Sequence, residues 1–166
     1  MNDHSSAAQR LAFQFHITLA MAVSVLRSIV AEYGENYTYQ GACVYVEGDG
    51  DGTLRAKCIV GQAFSRWGIL RTLTGIRGDL GATIMTGNAV DNQPGVCNLA
   101  GFDSSVRRHL ATIGITMDDE AWRFLREAQG NQDSRKPWGV SITEAAEAVL
   151  IERGETVGDP LDRLLS

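Results

Sequence analysis

The sequence predicts a mainly α-helical α+β domain, with five or six helices and a small β-hairpin before a central helix. Three observations support this fold class. Apolar residues recur at helical spacing between Lys57 and Leu70. Several further segments begin and end with residues typical of helix caps. A segment containing tyrosine and valine precedes the central helix and is interrupted by glycine and aspartate, as in a hairpin.

Length and composition indicate one globular domain over residues 9–166, after a flexible N-terminal tail at residues 1–8. The chain has 166 residues, of which 44% are hydrophobic and 21% charged, close to the average for globular proteins. Fifteen Lys and Arg residues against twenty Asp and Glu residues give a net charge of −5, and the basic residues are scattered. Binding to nucleic acid is therefore not expected.

Cysteine usage and hydropathy favour a cytoplasmic protein without a membrane segment. The 3 cysteines show no C-x-x-C spacing, which is typical of reduced thiols. The N-terminus lacks the pattern of a signal peptide. The most apolar run, Ile17 to Leu26, is about half of the ~20 residues that a transmembrane helix needs.

The first predicted helix runs from Gln9 to Tyr33, but its beginning carries a second pattern. Phe13, Phe15, Ile17 and Leu19 alternate with polar residues, which is the period of a half-buried strand. The length of the segment and its alanine content favour a helix throughout. From Leu19 onward this helix is apolar almost all round, which predicts packing on several sides or contact with a partner chain.

The central region is predicted as a hairpin followed by the central helix. The hairpin turns at Gly48 to Gly52, and Gly68 ends the helix. A second, short helix over Leu70 to Gly81 is weakened by its glycines. The apolar face of the central helix consists of Ile59, Val60, Ala63, Phe64 and Trp67.

The second half of the chain is predicted as a long loop followed by helices. Residues 83–103 are rich in glycine and asparagine and form the loop. Helices are expected over Ser104 to Ile113, from Met117 to Gln129 or beyond, and over Trp138 to Arg153. A short terminal helix follows, with Asp159 as its cap and Pro160 at its first position.

Candidate metal sites are weak, so no metal and no cofactor are predicted. The acidic turn before the central helix partly matches a calcium loop, but its twelfth position is Cys58 instead of a carboxylate. A zinc site could combine four residues, but their spacing does not favour one: Cys43, Cys58, Cys97 and His109. His16, on an apolar helix, is more typical of a core or interface histidine.

The polar cluster Gln129, Gln132, Asp133 and Trp138 is the predicted binding site for a ligand or partner. The first three residues lie three and four apart, so a helix that continues to Asp133 presents them together. Their amide and carboxylate groups could recognise a small ligand such as a nucleotide, or a partner backbone. The alternative is structural: Trp138 anchors the following helix to the core.

Three groups of short motifs form one pattern along the chain. They are CIVGQ at Cys58 to Gln62, the preceding CVYVEGDGDG, and downstream Ala128, Gln129, Gln132, Asp133, Pro137, Trp138 and Gly139. This pattern resembles one found in small uncharacterised proteins of actinobacteria and their phages. The resemblance covers Ala42 to Ile142, and the chain departs from it in the segment Thr83 to Phe102, which is longer than expected. It implies a shared source and fold, and no reaction.

The leading functional hypothesis is a non-enzymatic phage or actinobacterial accessory protein that binds a host protein, for host takeover or counter-defence. It is based on the apolar first helix, the apolar C-terminal edge and the lack of a catalytic motif. A homodimer is compatible with the same features. The alternatives are a nucleotide-binding protein that uses the polar cluster and, third, an enzyme that uses Cys58 with His109 as its base.

Overall fold

The computed structural model describes residues 14–41, 45–48, 53–73, 102, 104–155 and 158–166. Several predicted features lie outside the described residues: the flexible tail, residues 9–13 of the first helix, Cys43, Cys97, the turn at residues 49–52, residues 74–81 of the second short helix, and the long loop apart from Phe102. The described elements are β1 Phe15–Ile17, α1 Leu19–Tyr33, β2 Val46–Gly48, β3 Leu54–Ala56, α2 Ile59–Arg66, a 3₁₀ helix Leu70–Leu73, α3 Ser104–Thr112, β4 Ile115–Met117, α4 Asp119–Asp133, α5 Trp138–Glu152 and α6 Pro160–Leu165.

This architecture confirms the predicted fold class. The six helices of the described region dominate, and β2 pairs with β3 in an antiparallel hairpin just before α2, with Val46 opposite Ala56. Helices α4 and α5 form the most extensive helix pair, and α1 packs against α2, α4, α5 and α6. Within the described residues, no helix is both long and apolar enough to span a bilayer.

The helix predicted from Gln9 is wrong over residues 15–17, which form strand β1. The two-residue period gave the correct structure there. β1 pairs in parallel with β4, placing Phe15 opposite Ile115, and Thr18 then caps α1 through a hydrogen bond from Met21 N to Thr18 Oγ1 (3.2 Å). Pairing with a strand about a hundred residues away outweighs local helix propensity.

Helix α1 buries its apolar surface against other parts of the same chain. This is the first of the two arrangements that its composition predicts, namely packing on several sides. Its contacts with four helices bury much of the apolar face. Contact with a partner chain remains a prediction. The buried residues of α1 are Leu19, Ala22, Val23, Leu26, Ile29 and Val30.

Several predicted boundaries agree with the structure, whereas β4 was not predicted. Gly68 follows α2 with φ 72°, the left-handed conformation that glycine adopts easily. Asp159 caps α6 by accepting a hydrogen bond from Leu161 N (2.9 Å). Residues 115–117 form β4, so the helix predicted from Met117 begins two residues later, at Asp119.

Candidate functional site

Helix α4 continues to Asp133 and so brings the predicted polar cluster together on its last turn. Gln129 is 2% exposed, Gln132 1% and Trp138 0%, so these side chains lie in the core. Buried amides are costly unless their donors and acceptors have partners. The chemistry of the cluster therefore depends on what its polar atoms bind.

Gln132 caps helix α2 and anchors Trp138 with one oxygen atom. Its Oε1 accepts a hydrogen bond from Ile59 N (2.6 Å) and another from the Trp138 indole Nε1 (3.1 Å). Both partners are donors only, which fixes the orientation of the Gln132 amide. Its Nε2 then donates to Asp133 Oδ1 (3.2 Å).

Gln129 repeats this arrangement one turn earlier. Its Nε2 donates to Asp133 Oδ1 (2.8 Å), and its Oε1 lies 3.5 Å from Val60 N, at the long end of hydrogen bonding. Asp133 Oδ1 thus accepts a hydrogen bond from the amide nitrogen of each glutamine. The two glutamine oxygens supply acceptors for the first two N–H groups of α2, which a helix cannot satisfy by itself.

Cys58 completes the cap of α2 with its sulfur atom. Cys58 Sγ accepts a hydrogen bond from Gly61 N (3.3 Å), and the side chain is fully buried. Burial raises the pKa of this thiol far above its ordinary value; the Gly61 hydrogen bond lowers it, and the negative charge of Asp133 raises it. The thiol is therefore neutral at physiological pH, which argues against the hypothesis of a Cys58 nucleophile.

The glycines of the sequence pattern allow close backbone contacts around this cap. A Cβ atom on Gly61 would lie 2.0 Å from the carbonyl oxygen of Tyr45, and one on Gly139 would lie 2.9 Å from that of Glu35. Gly139 N donates to this Glu35 oxygen (2.9 Å). Any side chain at Gly61 would force the hairpin away from α2.

Trp138 anchors the start of α5 in the core, as the structural alternative predicted. Its backbone N donates to the carbonyl oxygen of Tyr37 (2.8 Å). Its ring contacts those of Tyr33 and Tyr37, with centroids 4.9 and 4.5 Å away. The backbone and the ring of Trp138 therefore hold the start of α5 against the end of α1 and the segment that follows it.

The two halves of the sequence pattern meet in one buried network that we call the α2 cap. The network comprises Cys58, Gln129, Gln132, Asp133 and Trp138. The sequence predicts that the last four could recognise a ligand or a partner backbone. In the structure the two glutamines bind the backbone of α2 in the same chain, and Asp133 and Trp138 bind the glutamine amides. Comparison with known protein families, curated proteins and solved structures found no match.

The geometry of the α2 cap gives the residues of the sequence pattern a structural role, because their hydrogen bonds stabilise the fold. A nucleotide site on these side chains remains a prediction, but their polar atoms already have internal partners. Among the described residues, no group of three or more His, Cys, Asp or Glu side chains is arranged to hold a metal ion. Gln132 and Gln129 act as hydrogen-bond acceptors for the N–H groups of α2, and no local sequence pattern encodes this role.

Proposed function

We propose that this chain is an accessory protein of phage or actinobacterial origin that binds a host protein through the outer face of α5. The origin rests on the sequence resemblance described above. The binding role rests on one observation: the two most exposed large hydrophobic side chains of the described region, Val140 (43% exposed) and Ile151 (68% exposed), both belong to α5.

These two residues lie on one side of the helix. They are about three helical turns apart, which places them on the same face. Glu144 and Glu147 occupy the turns between them, so the four residues form a continuous outer stripe. The opposite face of α5 packs against α4 and is buried.

The outer stripe combines apolar ends with an acidic centre. Glu144 forms an ion pair with Lys136, which lies just before α5, whereas Glu147 is exposed to solvent. A complementary partner surface would offer two apolar contacts on either side of a basic group. Exposed single hydrophobic residues are common, but two on one stripe of a helix are a better basis for an interface.

Site-specific photo-crosslinking tests this proposal. A photoreactive phenylalanine analogue would replace Ile151 or, as a control, Ile113, which is 39% exposed just after α3. In a lysate of an actinobacterial host, we expect one host protein to crosslink from position 151 and not from position 113. With that protein purified, Ile151→Lys should weaken binding about tenfold or more, and Ile113→Lys should not.

Equal crosslinking from both positions, or unchanged affinity of Ile151→Lys and Val140→Lys, would contradict the proposal. Crosslinking to a second copy of the chain would assign the stripe to a homodimer instead. Sedimentation of the unmodified protein at several concentrations would separate that result from host binding.

A further inference from the structure

Strands β1 and β4 place three polar side chains together on the solvent side of their small sheet. The register sets His16 opposite Thr116. Ile17 and Ile115 point to the core and are 0% and 1% exposed. His16 and Asp118, by contrast, have side chains 53% and 44% exposed. The prediction of a core position for His16 is wrong, because residue 16 lies in a strand with alternating faces and its side chain is on the solvent side. An interface position for His16 remains a prediction.

His16 links the other two side chains through its two ring nitrogens. Thr116 Oγ1 lies 2.8 Å from His16 Nδ1, and Asp118 Oδ1 lies 2.9 Å from His16 Nε2. An ionised carboxylate only accepts hydrogen bonds, so Nε2 carries the proton of the neutral ring. Nδ1 then has a free lone pair, and the Thr116 hydroxyl donates to it.

Asp118 is itself held in place by backbone groups. Its second oxygen, Oδ2, accepts a hydrogen bond from Leu19 N at the start of α1 (3.2 Å), and its own N–H donates to Ile17 O (3.1 Å). It also precedes the first residue of α4. A negative charge is favourable at helix N-termini, and this carboxylate accepts a hydrogen bond from the first residue of α1 but none from α4.

We propose that Thr116, His16 and Asp118 form an acyl-transfer site for small activated carboxylic esters, with Thr116 as nucleophile, His16 as general base and Asp118 as the residue that orients His16. This activity goes beyond the proposed binding role and uses a different surface. The order hydroxyl, imidazole, carboxylate is that of a catalytic triad, which is recognised by geometry and roles. Here the hydroxyl binds Nδ1 and the carboxylate Nε2, the reverse of the serine proteases.

The reaction proceeds in two balanced halves. Thr116 Oγ1 bonds to the ester carbonyl carbon as its proton passes to His16 Nδ1, and the carbonyl electron pair moves to oxygen. The carbonyl then re-forms, the bond to the leaving alcohol breaks, and the alcohol takes the proton from Nδ1. Water repeats the sequence on the Thr116 ester, releasing the acid and restoring the hydroxyl.

The test uses the full chain with p-nitrophenyl acetate, and follows both p-nitrophenolate release and acetylation of the protein by peptide mass spectrometry. We expect an acetyl ester on Thr116. Thr116→Val and His16→Gln should each lower the rate about 10²-fold, the lower end of the usual general-base contribution. Asp118→Asn should lower it at least tenfold, whereas Thr116→Ser retains a hydroxyl group and should still be acetylated at residue 116.

His109→Gln is the matched control, because a surface histidine can attack this ester directly. Its rate should equal that of the unmodified chain. Acetylation confined to histidine, full activity of Thr116→Val, or a rate no faster than buffer would each overturn the proposal. Circular dichroism of every variant verifies folding. If Thr116→Val unfolds, loss of labelling in Thr116→Ser decides against the site and retention of labelling supports it.

Discussion

Trp138 Nε1 donates a hydrogen bond to Gln132 Oε1 over 3.1 Å, and the same oxygen caps helix α2 through Ile59 N. One buried amide thus joins the starts of α2 and α5. Because all three groups are inaccessible to water, each depends on the others for its hydrogen bonds. The stability of the fold should therefore be unusually sensitive to Gln132.

Gln132→Met should lower the free energy of unfolding by about 3 kcal/mol, because it leaves the N–H groups of Ile59 and Trp138 buried without an acceptor. Urea unfolding followed by circular dichroism measures this. The exposed Gln40→Met is the control and should change stability by less than about 0.5 kcal/mol. In a double-mutant cycle with Trp138→Phe, we expect coupling of about 1 kcal/mol. Additive effects would show that the two side chains act independently.

Alanine at two helical glycines should have opposite effects. In Gly61→Ala the new methyl group would meet Tyr45 O at 2.0 Å, whereas at Gly130 in α4 nothing lies within 4 Å. We expect Gly61→Ala to destabilise the protein by about 3 kcal/mol or more. Gly130→Ala should stabilise it by about 0.5–1 kcal/mol, since alanine is the better helix former. Thermal unfolding of both variants is the measurement, and similar effects would contradict the described contact.

Arg135 has φ 64°, a conformation that residues other than glycine adopt at a cost. Its guanidinium donates to Tyr39 O (2.8 Å), so any replacement removes this contact, whereas only glycine also removes the backbone strain. Arg135→Gly and Arg135→Ala both lose that contact. The glycine variant should nevertheless be more stable by about 1 kcal/mol, because it alone relieves the backbone. Equal denaturation midpoints would argue against the left-handed backbone at this residue.

Cys58→Ala should remove part of the loss of stability at alkaline pH. Burial raises the pKa of the Cys58 thiol in the folded state, so the folded chain holds this proton more tightly than the unfolded chain. The contribution of the protonated Cys58 thiol to the unfolding free energy is complete below the unfolded pKa of about 8.5. Above that pH it declines, by at most about 1.4 kcal/mol per pH unit.

The measurement for Cys58 is the difference in unfolding free energy between the unmodified chain and the variant. Every other titratable group is present in both proteins, so its contribution cancels in this difference. We expect the difference to shrink between about pH 7 and about pH 10. A constant difference would show that the thiol is not buried in the folded state.

Glu120→Gln should lower stability at neutral pH and have little effect in acid. Arg153 donates to both oxygens of Glu120, at 2.6 Å each, and this hydrogen bonding lowers the pKa of Glu120. The contribution is present above the unfolded pKa of about 4.3 and is lost as the pH falls through the lower folded pKa. Both side chains are about a third exposed or more, so we expect only about 0.2–1 kcal/mol.

Unfolding at about pH 7 and at about pH 3 measures the Glu120 effect, and added salt should reduce it at the higher pH. The difference in unfolding free energy between the glutamine variant and the unmodified chain should be smaller at the lower pH. A salt-independent difference that persists in acid would point to packing instead of charge.

The sequence was most informative where a structural signal is local. The hairpin before α2, the end of α2 at Gly68 and the cap at Asp159 all follow from residues next to each other in the chain. The continuation of α4 to Asp133 was the condition for grouping its polar side chains, and it is met. Cap and turn residues carry such information because they act on their own neighbours.

What could not be predicted depends on contacts between distant segments. β1 becomes a strand because β4 pairs with it, and three residues are too few to specify either strand alone. The partners of Gln132 and Gln129 lie on a different helix, so the sequence showed that these amides group together but not what they bind. His16 and Thr116 share a solvent face only through the strand register.

The α2 cap can form only after both helices that contribute to it have been synthesised. Ile59 and its acceptor on Gln132 are separated by 73 residues. At about 5–20 residues per second, the ribosome adds that acceptor roughly 4–15 s after the donor. During most of this interval α1 and α2 lack the segments that cover them in the folded protein, so we expect the nascent chain to expose apolar surface that chaperones can bind.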